Sequence, residues 1–240
     1  MPVFYAPQAA DGYAVLNEEE SVHCVRVLRL GAGDRVTLAD GCGGFYTASI
    51  EDPHPKHCGV TVTERLSLDP EPLQIQIAVA PTKNPDRIEW LVEKCTEIGV
   101  TDIALLLTAH SERKSVNLER LRRIAVSAMK QSQRAWLPRI HPMTPLPAFL
   151  ASCGTDQKMI AHCEDTQRQS LASVYRPGQS ATVLIGPEGD FSPEEIAQSL
   201  SMQFVPVTLG DLRLRTETAA VVACHSLVML NGMAAEGLWR

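Results

Sequence analysis

The spacing of apolar residues changes once along the chain, on either side of a short proline-containing segment. Up to about residue 65, β-rich runs are brief and glycine turns separate them, whereas beyond residue 73 apolar runs alternate with stretches of helical period. The segment Ser67–Leu73 between them carries two prolines and two acids, which is typical of an exposed linker. We therefore predict two domains of different class, at residues 1–68 and 73–240.

The first domain is predicted to be a small β-barrel. Its runs Arg35–Ala39, Gly44–Ile50 and Gly59–Thr63 have the length and the β-branched content of strands. Asp40 and Gly41 stand between the first two runs, and an Asp-Gly pair is a strong indicator of a tight hairpin. Short strands joined by glycine turns favour a barrel or a small sheet.

The second domain is predicted to be an α/β fold with a mostly parallel sheet. Alternating strands and helices give such a sheet, with helices covering both of its faces. One helix is well marked, because Asn84 suits its N-cap, Pro85 its first position and Gly99 its end. The apolar runs expected to form strands are residues 74–79, 102–107, 158–161, 181–185 and 204–209.

Basic residues collect on one face of a second predicted helix, which begins at Asn117. The chain has 22 basic and 28 acidic residues, a net charge of −6, yet residues 111–139 hold eight Lys or Arg against two acids. Helical spacing places five residues in one line: Arg120, Arg123, Ser127, Lys130 and Arg134. A basic line in an acidic protein favours a phosphate-facing helix, and a solvated helix face is the alternative.

Several classes of protein are disfavoured by what the sequence lacks. The seven cysteines are dispersed with no C-x-x-C pair, which argues against a disulfide framework and against a zinc ribbon. No P-loop, dinucleotide fingerprint, H-E-x-x-H or G-x-S-x-G motif occurs. The sequence therefore disfavours a P-loop enzyme, a dinucleotide dehydrogenase, a zincin and an α/β-hydrolase. We find no run near the roughly 20 apolar residues of a membrane span and no secretory signal, and we expect a cytoplasmic protein with no membrane partner.

Two glycine-containing loops remain as candidates for a binding site, because parallel α/β sheets bind ligands at the carboxyl ends of their strands. The first loop, Gly186–Phe191, follows a buried run and precedes a capping box formed by Ser192 and Glu195. The second loop, Leu209–Thr218, leads into an apolar helix. The alternative interpretations are a tight turn for the first loop and a capping glutamate with solvated arginines for the second.

Taken together, these segments resemble the RsmE-like branch of the SPOUT methyltransferases, which methylate N3 of a uridine in small-subunit ribosomal RNA. The resemblance runs nearly from end to end. The segments that carry it are residues 23–29, 33–34, 40–41, 83–90, 111–113, 131–134, 186–189 and 209–219, together with Lys94, Glu97, Gly99 and Val100. The chain departs from the family at Leu212-Arg213, where many members have Arg-Ile or Arg-Val, and at Asp190, where glycine is common.

The resemblance implies a fold, a cofactor and an assembly. We expect a PUA-like RNA-binding β-barrel followed by a SPOUT α/β domain with a deep trefoil knot, in a homodimer that packs through its apolar terminal helices. S-adenosylmethionine is expected to lie bent within the knot, between the loop after residues 159–161, the Gly186 loop and the Leu209 loop. The cofactor-binding residues implied are His162, Gly186, Pro187, Glu188, Gly189, Leu209, Gly210, Leu214, Thr216 and Thr218.

The resemblance also places the reacting groups. The pKa of the N3 proton of uracil lies well above neutral pH. Methylation at N3 therefore needs a base, or hydrogen-bond donors that stabilise the developing anion. Glu217 is the expected base, Arg215 is expected to stabilise the anion, and Arg134 is expected nearby. No metal is expected, since the sulfonium already activates the methyl group. The RNA-binding residues expected are Arg26, Arg29, Arg113, Arg120, Arg123, Lys130 and Arg213.

Two other functions stay open at this point. The chain is also compatible with a SPOUT methyltransferase that acts on another RNA nucleoside, such as a transfer RNA base. A third interpretation is a non-catalytic RNA-binding protein that kept the knot as a scaffold. That interpretation predicts loss of the Gly186 loop or of Glu217, and the chain retains both.

Overall fold

The computed structural model describes residues 1–164 and 168–238, which form two compact units. The first unit comprises Met1–Pro72 together with Val126–Leu137, and the second comprises Leu73–Ala125 and the chain from Pro138 onward. Residues 126–137, which the sequence analysis assigned to the second domain, therefore make most of their contacts in the first unit. Residues 165–167 and 239–240 of the predicted second domain lie outside the described residues.

The first unit is built on a five-stranded sheet of spatial order β1-β3-β4-β5-β2. Its strands are β1 (Val3–Tyr5), β2 (Tyr13–Val15), β3 (Arg35–Ala39), β4 (Gly44–Asp52) and β5 (Gly59–Leu68). Between β2 and β3 lie helix α1 (Glu18–Val22) and a π-helical turn at His23–Val27. The apolar core of this unit includes the fully buried side chains of Phe4, Leu16, Leu38 and Ile50.

The hairpin predicted at Asp40-Gly41 is confirmed. Strands β3 and β4 pair antiparallel, with Ala39 opposite Phe45. The Asp40 carboxylate closes the turn, because its Oδ1 accepts hydrogen bonds from the amides of Cys42 at 2.7 Å and Gly44 at 2.9 Å. These bonds add to the backbone hydrogen bond that the amide of Asp40 donates to the carbonyl of Gly44 at 3.1 Å.

The second unit is an α/β domain whose seven-stranded sheet is parallel at every pair recorded in the described residues. Its strands are β6 (Ile75–Val79), β7 (Asp102–Leu107), β8 (Arg139–Pro145), β9 (Gln157–Ala161), β10 (Gln169–Ser170), β11 (Ala181–Ile185) and β12 (Val205–Thr208), in the spatial order β10-β12-β9-β11-β6-β7-β8. The α/β prediction is confirmed, and all five expected strands are present. The knot stays a prediction.

Helices connect these strands. They are α2 (Pro85–Ile98), α3 (Leu118–Gln131), α4 (Leu146–Ser152), α5 (Leu171–Val174), α6 (Pro193–Ser201) and α7 (Thr216–Ala235). Helix α2 begins as predicted, because Asn84 Oδ1 accepts a hydrogen bond from the amide of Asp86 at 2.9 Å, and it ends at Gly99. The predicted capping box of α6 is also present, between Ser192 and Glu195.

Helix α7 is apolar on nearly all sides, as its sequence predicts. It packs against α2 and β6 with Ala220, Cys224 and Leu227 buried. Within the described residues it is the one helix long and apolar enough to cross a membrane by length and composition, which corrects our expectation that no run reaches that length. A single helix of this kind is weak grounds for a membrane span, since core helices pass the same test.

Candidate functional site

Two adjoining cavities lie at the carboxyl ends of β9, β11 and β12 in the second unit. They measure about 290 Å³ and 410 Å³ and share Ala161, Cys163, Arg213, Leu214 and Ala219 as walls. The first cavity lies between the ends of β9 and β12, and the second lies beside the end of β11. This is the edge of the sheet at which an open α/β fold binds its ligand.

Most of the predicted cofactor-binding residues line these cavities. His162, Leu209, Gly210 and Leu214 line the first cavity. Gly186, Pro187, Glu188, Leu214 and Thr216 line the second. Gly189 and Thr218 are not among the lining residues of either cavity.

His162 is the most unusual of these residues, because it is buried without a hydrogen-bond partner in the part of the chain that the structure describes. Its side chain is only 5% exposed, and both ring nitrogens lack a partner among the described residues. Burial lowers the pKa of His162, Arg168 adds to that effect, and the carboxylates of Asp190 and Glu164 oppose it. Burial therefore favours the neutral ring, which offers the first cavity one donor and one acceptor.

The Gly186–Phe191 loop is held by contacts on two sides. Thr216 Oγ1 donates to the carbonyl of Gly186 at 3.0 Å, which ties the start of α7 to the loop. Asp190 adopts a left-handed conformation, with φ of 61°, and its carboxylate accepts hydrogen bonds from the amides of Cys163 at 2.6 Å and Phe191 at 2.8 Å. Asp190 therefore links the loop after β9 to the loop after β11.

The residues expected to act in catalysis occupy different places. Arg215 is exposed at the N-cap of α7 and lines the second cavity. Glu217 is buried beside it, and its Oε1 lies 3.6 Å from Nε of Arg87, which also lines that cavity. Glu217 itself is not among the lining residues. Arg134 belongs to the segment Val126–Leu137 of the first unit and lines neither cavity.

Family models match both parts of the chain. Residues 69–228 match a model described as an RNA methyltransferase domain, and residues 16–63 match an RNA methyltransferase PUA domain. The chain belongs to the RNA methyltransferase family. The resemblance found in the sequence is therefore confirmed.

Relatives of this RNA methyltransferase resemble it along most of their length. The chain is 31% identical over 233 residues to the ribosomal RNA small subunit methyltransferase E of Synechocystis, covering 94% of this chain and 75% of the relative. A probable rRNA-methyltransferase from Porphyromonas gingivalis superposes with a TM-score of 0.90 at 42% identity, covering 98% of this chain and all of the other. A putative methyltransferase from Legionella pneumophila, solved with bound cofactor SAM, gives 0.83 at 30% identity and 97% coverage of each chain.

The arginines and the lysine expected to bind RNA in this methyltransferase fall into two groups. Arg26, Arg29 and Arg123 are exposed, and their side chains have no ion pair or hydrogen bond within the described residues. Arg213 is an exposed wall of both cavities. The other three are engaged within the protein. Arg113 donates to the carbonyls of Thr82 and Lys83, Arg120 pairs with Glu89, and Lys130 pairs with buried Glu20 of the first unit.

Sequence patterns left several wall residues of the methyltransferase site without a role, among them Cys163, Arg168 and Arg87. Cys163 and Arg168 follow β9, in the loop that the resemblance places in the cofactor site, but neither residue was given a role. Arg87 lies in the segment 83–90, which carries the family resemblance, but it had no predicted role. Nothing in the local pattern of α2 indicates its contact with the start of α7. Within the described residues there is no group of three side chains suited to a metal ion.

Proposed function

We propose that this RNA methyltransferase uses S-adenosylmethionine to methylate N3 of a uridine in small-subunit ribosomal RNA, as a cytoplasmic homodimer with a knotted second domain. The main support is the pair of adjoining cavities at the strand ends, one of which is lined by a buried histidine without a partner in residues 1–164 and 168–238. Two neighbouring compartments suit a reaction in which a cofactor and a nucleobase must meet. The Legionella relative was solved with SAM bound.

The residues of the first cavity fit such a cofactor. His162 supplies an unused donor and acceptor for adenine or ribose, and burying those groups without a ligand is costly. Gly210 has φ of 139°, a conformation that favours glycine, and a Cβ added there would meet nothing within 4 Å. A ligand can therefore approach the backbone of this loop without a clash.

The chemistry proposed for the second cavity is proton removal with stabilisation of the anion. When bound, the cofactor supplies an electrophilic methyl group. Arg215 would donate to the oxygens of the uracil as charge develops on O2, N3 and O4, and its planar donor group suits that edge. Glu217 would accept the N3 proton, and the lack of a partner for its buried Oε2 among the described residues supports this role. Arg134 would contribute from the partner subunit.

The homodimer is supported by the surface of α7. Met229, an apolar side chain of this helix, is 46% exposed. Val221, Val222 and Val228 are only partly buried in the single chain. A second copy packed on this face would cover those side chains, which is a simpler explanation of the helix than a membrane span.

The experiment is methylation in vitro with identification of the product. Purified protein is incubated with S-adenosylmethionine and small ribosomal subunits from a strain that lacks the chain's gene, and the RNA is digested and analysed by nucleoside mass spectrometry. We expect N3-methyluridine, about one per RNA molecule. A methyl group on a different nucleoside would favour the second interpretation from the sequence, and RNA binding without methyl transfer would favour the third.

A further inference from the structure

The loop that follows β7 reaches the cofactor loop of β11, although β6 separates the two strands in the sheet. His110 in this loop makes the contact. Its Nδ1 lies 3.0 Å from the carbonyl oxygen of Gly189 and 3.0 Å from that of Asp190. Both carbonyls belong to the Gly186–Phe191 loop, whose first residue, Gly186, accepts the hydrogen bond from Thr216.

The chemistry of the two partners fixes the role of the imidazole. A carbonyl oxygen accepts hydrogen bonds and cannot donate them, so Nδ1 of His110 must carry the proton and donate to both. The residue also fills the space against the loop, because a Cβ added to Gly189 would lie 3.1 Å from Cβ of His110. The absence of a side chain at Gly189 therefore allows close packing against His110.

A second hydrogen bond anchors the same loop. The amide of Ala109 donates to Glu195 Oε1 at 2.7 Å, while the other carboxylate oxygen of Glu195 accepts from the amide of Ser192 at 2.9 Å. Glu195 therefore completes the capping box of α6 and at the same time binds Ala109, which precedes His110. Adjacent residues of the β7 loop thus bind both ends of the segment 189–195.

We propose that His110 is a positioning residue, which holds the Gly186–Phe191 loop in its ligand-binding conformation before the cofactor arrives. The inference rests on the proposed function of that loop as part of the cofactor site. Because a loop that is already held in place loses less conformational freedom on binding, His110 would reduce the ordering cost of binding. It touches neither cavity, so its effect would pass through the backbone of Gly189 and Asp190.

The test compares His110→Ala with His110→Asn, since the asparagine amide can place a donor near the position of Nδ1. Ser115→Ala, an exposed position of the same loop with no hydrogen bond among the described residues, is the matched control. Hydrogen exchange of the Asp190 and Phe191 amides is measured without cofactor, and calorimetry measures the affinity for S-adenosylhomocysteine. We expect His110→Ala to exchange faster and to bind about 3- to 10-fold more weakly. His110→Asn should recover most of both losses.

Two results would overturn the proposal. If His110→Ala leaves exchange at Asp190 and Phe191 unchanged, the contact does not order the loop. If His110→Asn is as impaired as His110→Ala, packing of the ring and not the donated hydrogen bond is responsible. Failure of the proposed function looks different, because the wild-type protein would then not bind S-adenosylhomocysteine, while the exchange result without ligand would still be informative.

Discussion

Arg87 Nε lies 3.6 Å from Glu217 Oε1, and the pair joins the first turn of α2 to the first turn of α7. Glu217 is 8% exposed, and its second oxygen has no partner among the described residues. The start of a helix is a favourable place for a carboxylate, because the helix dipole stabilises negative charge there. The same geometry suits a structural ion pair and a base awaiting a proton, so the two roles need separate tests.

Removing the arginine should test the structural role. We expect Arg87→Ala to lower the free energy of unfolding by about 1–3 kcal/mol, because it leaves the buried Glu217 carboxylate without its partner. Urea denaturation measures the change. The double variant Arg87→Ala with Glu217→Gln should recover part of the loss, and strictly additive losses would show that the pair contributes nothing.

Arg123 should contribute to RNA binding through its charge. It is exposed and has no partner among the described residues, so Arg123→Ala should weaken RNA binding and reduce the slope of log affinity against log salt by about 1. Filter binding at several salt concentrations measures both quantities. Affinity for S-adenosylhomocysteine should stay unchanged, and an unaltered salt slope would identify the basic face as merely solvated.

Lys130 should behave differently from Arg123, although both belong to the same basic line. Its ammonium pairs with Glu20, which is 4% exposed and whose other oxygen has no partner within the described residues. We expect Lys130→Ala to destabilise the protein by about 1–3 kcal/mol and to change the salt slope less than Arg123→Ala. Thermal unfolding gives the first quantity. A normal melting temperature with a reduced slope would make Lys130 a phosphate ligand instead.

Ionisation of the Asp102 carboxyl should make the free energy of unfolding depend on pH. Burial acts to raise its pKa, but hydrogen bonds from His141, Arg139 and Thr101 outweigh it and lower the pKa from 3.8 to about 2. The stabilisation is therefore complete above pH 3.8 and is lost as pH falls through about 2. We expect it to contribute about 2 kcal/mol at pH 7 and roughly half of that at pH 3. Denaturation of wild type and Asp102→Asn at pH 7 and pH 3 measures the difference in their free energies of unfolding. An equal difference at the two pH values would contradict the prediction.

Local patterns predicted the elements whose stabilising residues are close in sequence. Helix α2 follows from Asn84, Pro85 and Gly99 together with an apolar stripe, and those residues cap it as expected. Strand β8 was missed because Pro142 and Pro145 disfavour a strand. It lies at the edge of the sheet, where a residue without an N–H is tolerated on the outer side.

The candidate site was predicted only in part, for the same physical reason. The glycine loops have a local signature, whereas the partners of charged residues are set by the tertiary fold. Lys130 meets Glu20 across 110 positions of sequence, and the helical period that placed Lys130 on a basic face carries no information about that contact. The pairing of Arg87 with Glu217 was hidden in the same way.

The most direct test of the proposed chemistry is the single-turnover rate of Glu217→Gln as a function of pH. If Glu217 accepts the N3 proton, the variant should fold and bind S-adenosylhomocysteine normally, but transfer the methyl group about 10²–10⁴-fold more slowly at neutral pH. Raising the pH should restore part of the rate, because hydroxide then removes the proton. Arg215→Lys is the control, since it should be slow without that rescue. A Glu217→Gln enzyme with near-normal methyl transfer at neutral pH would contradict the proposal and leave Glu217 as the structural partner of Arg87.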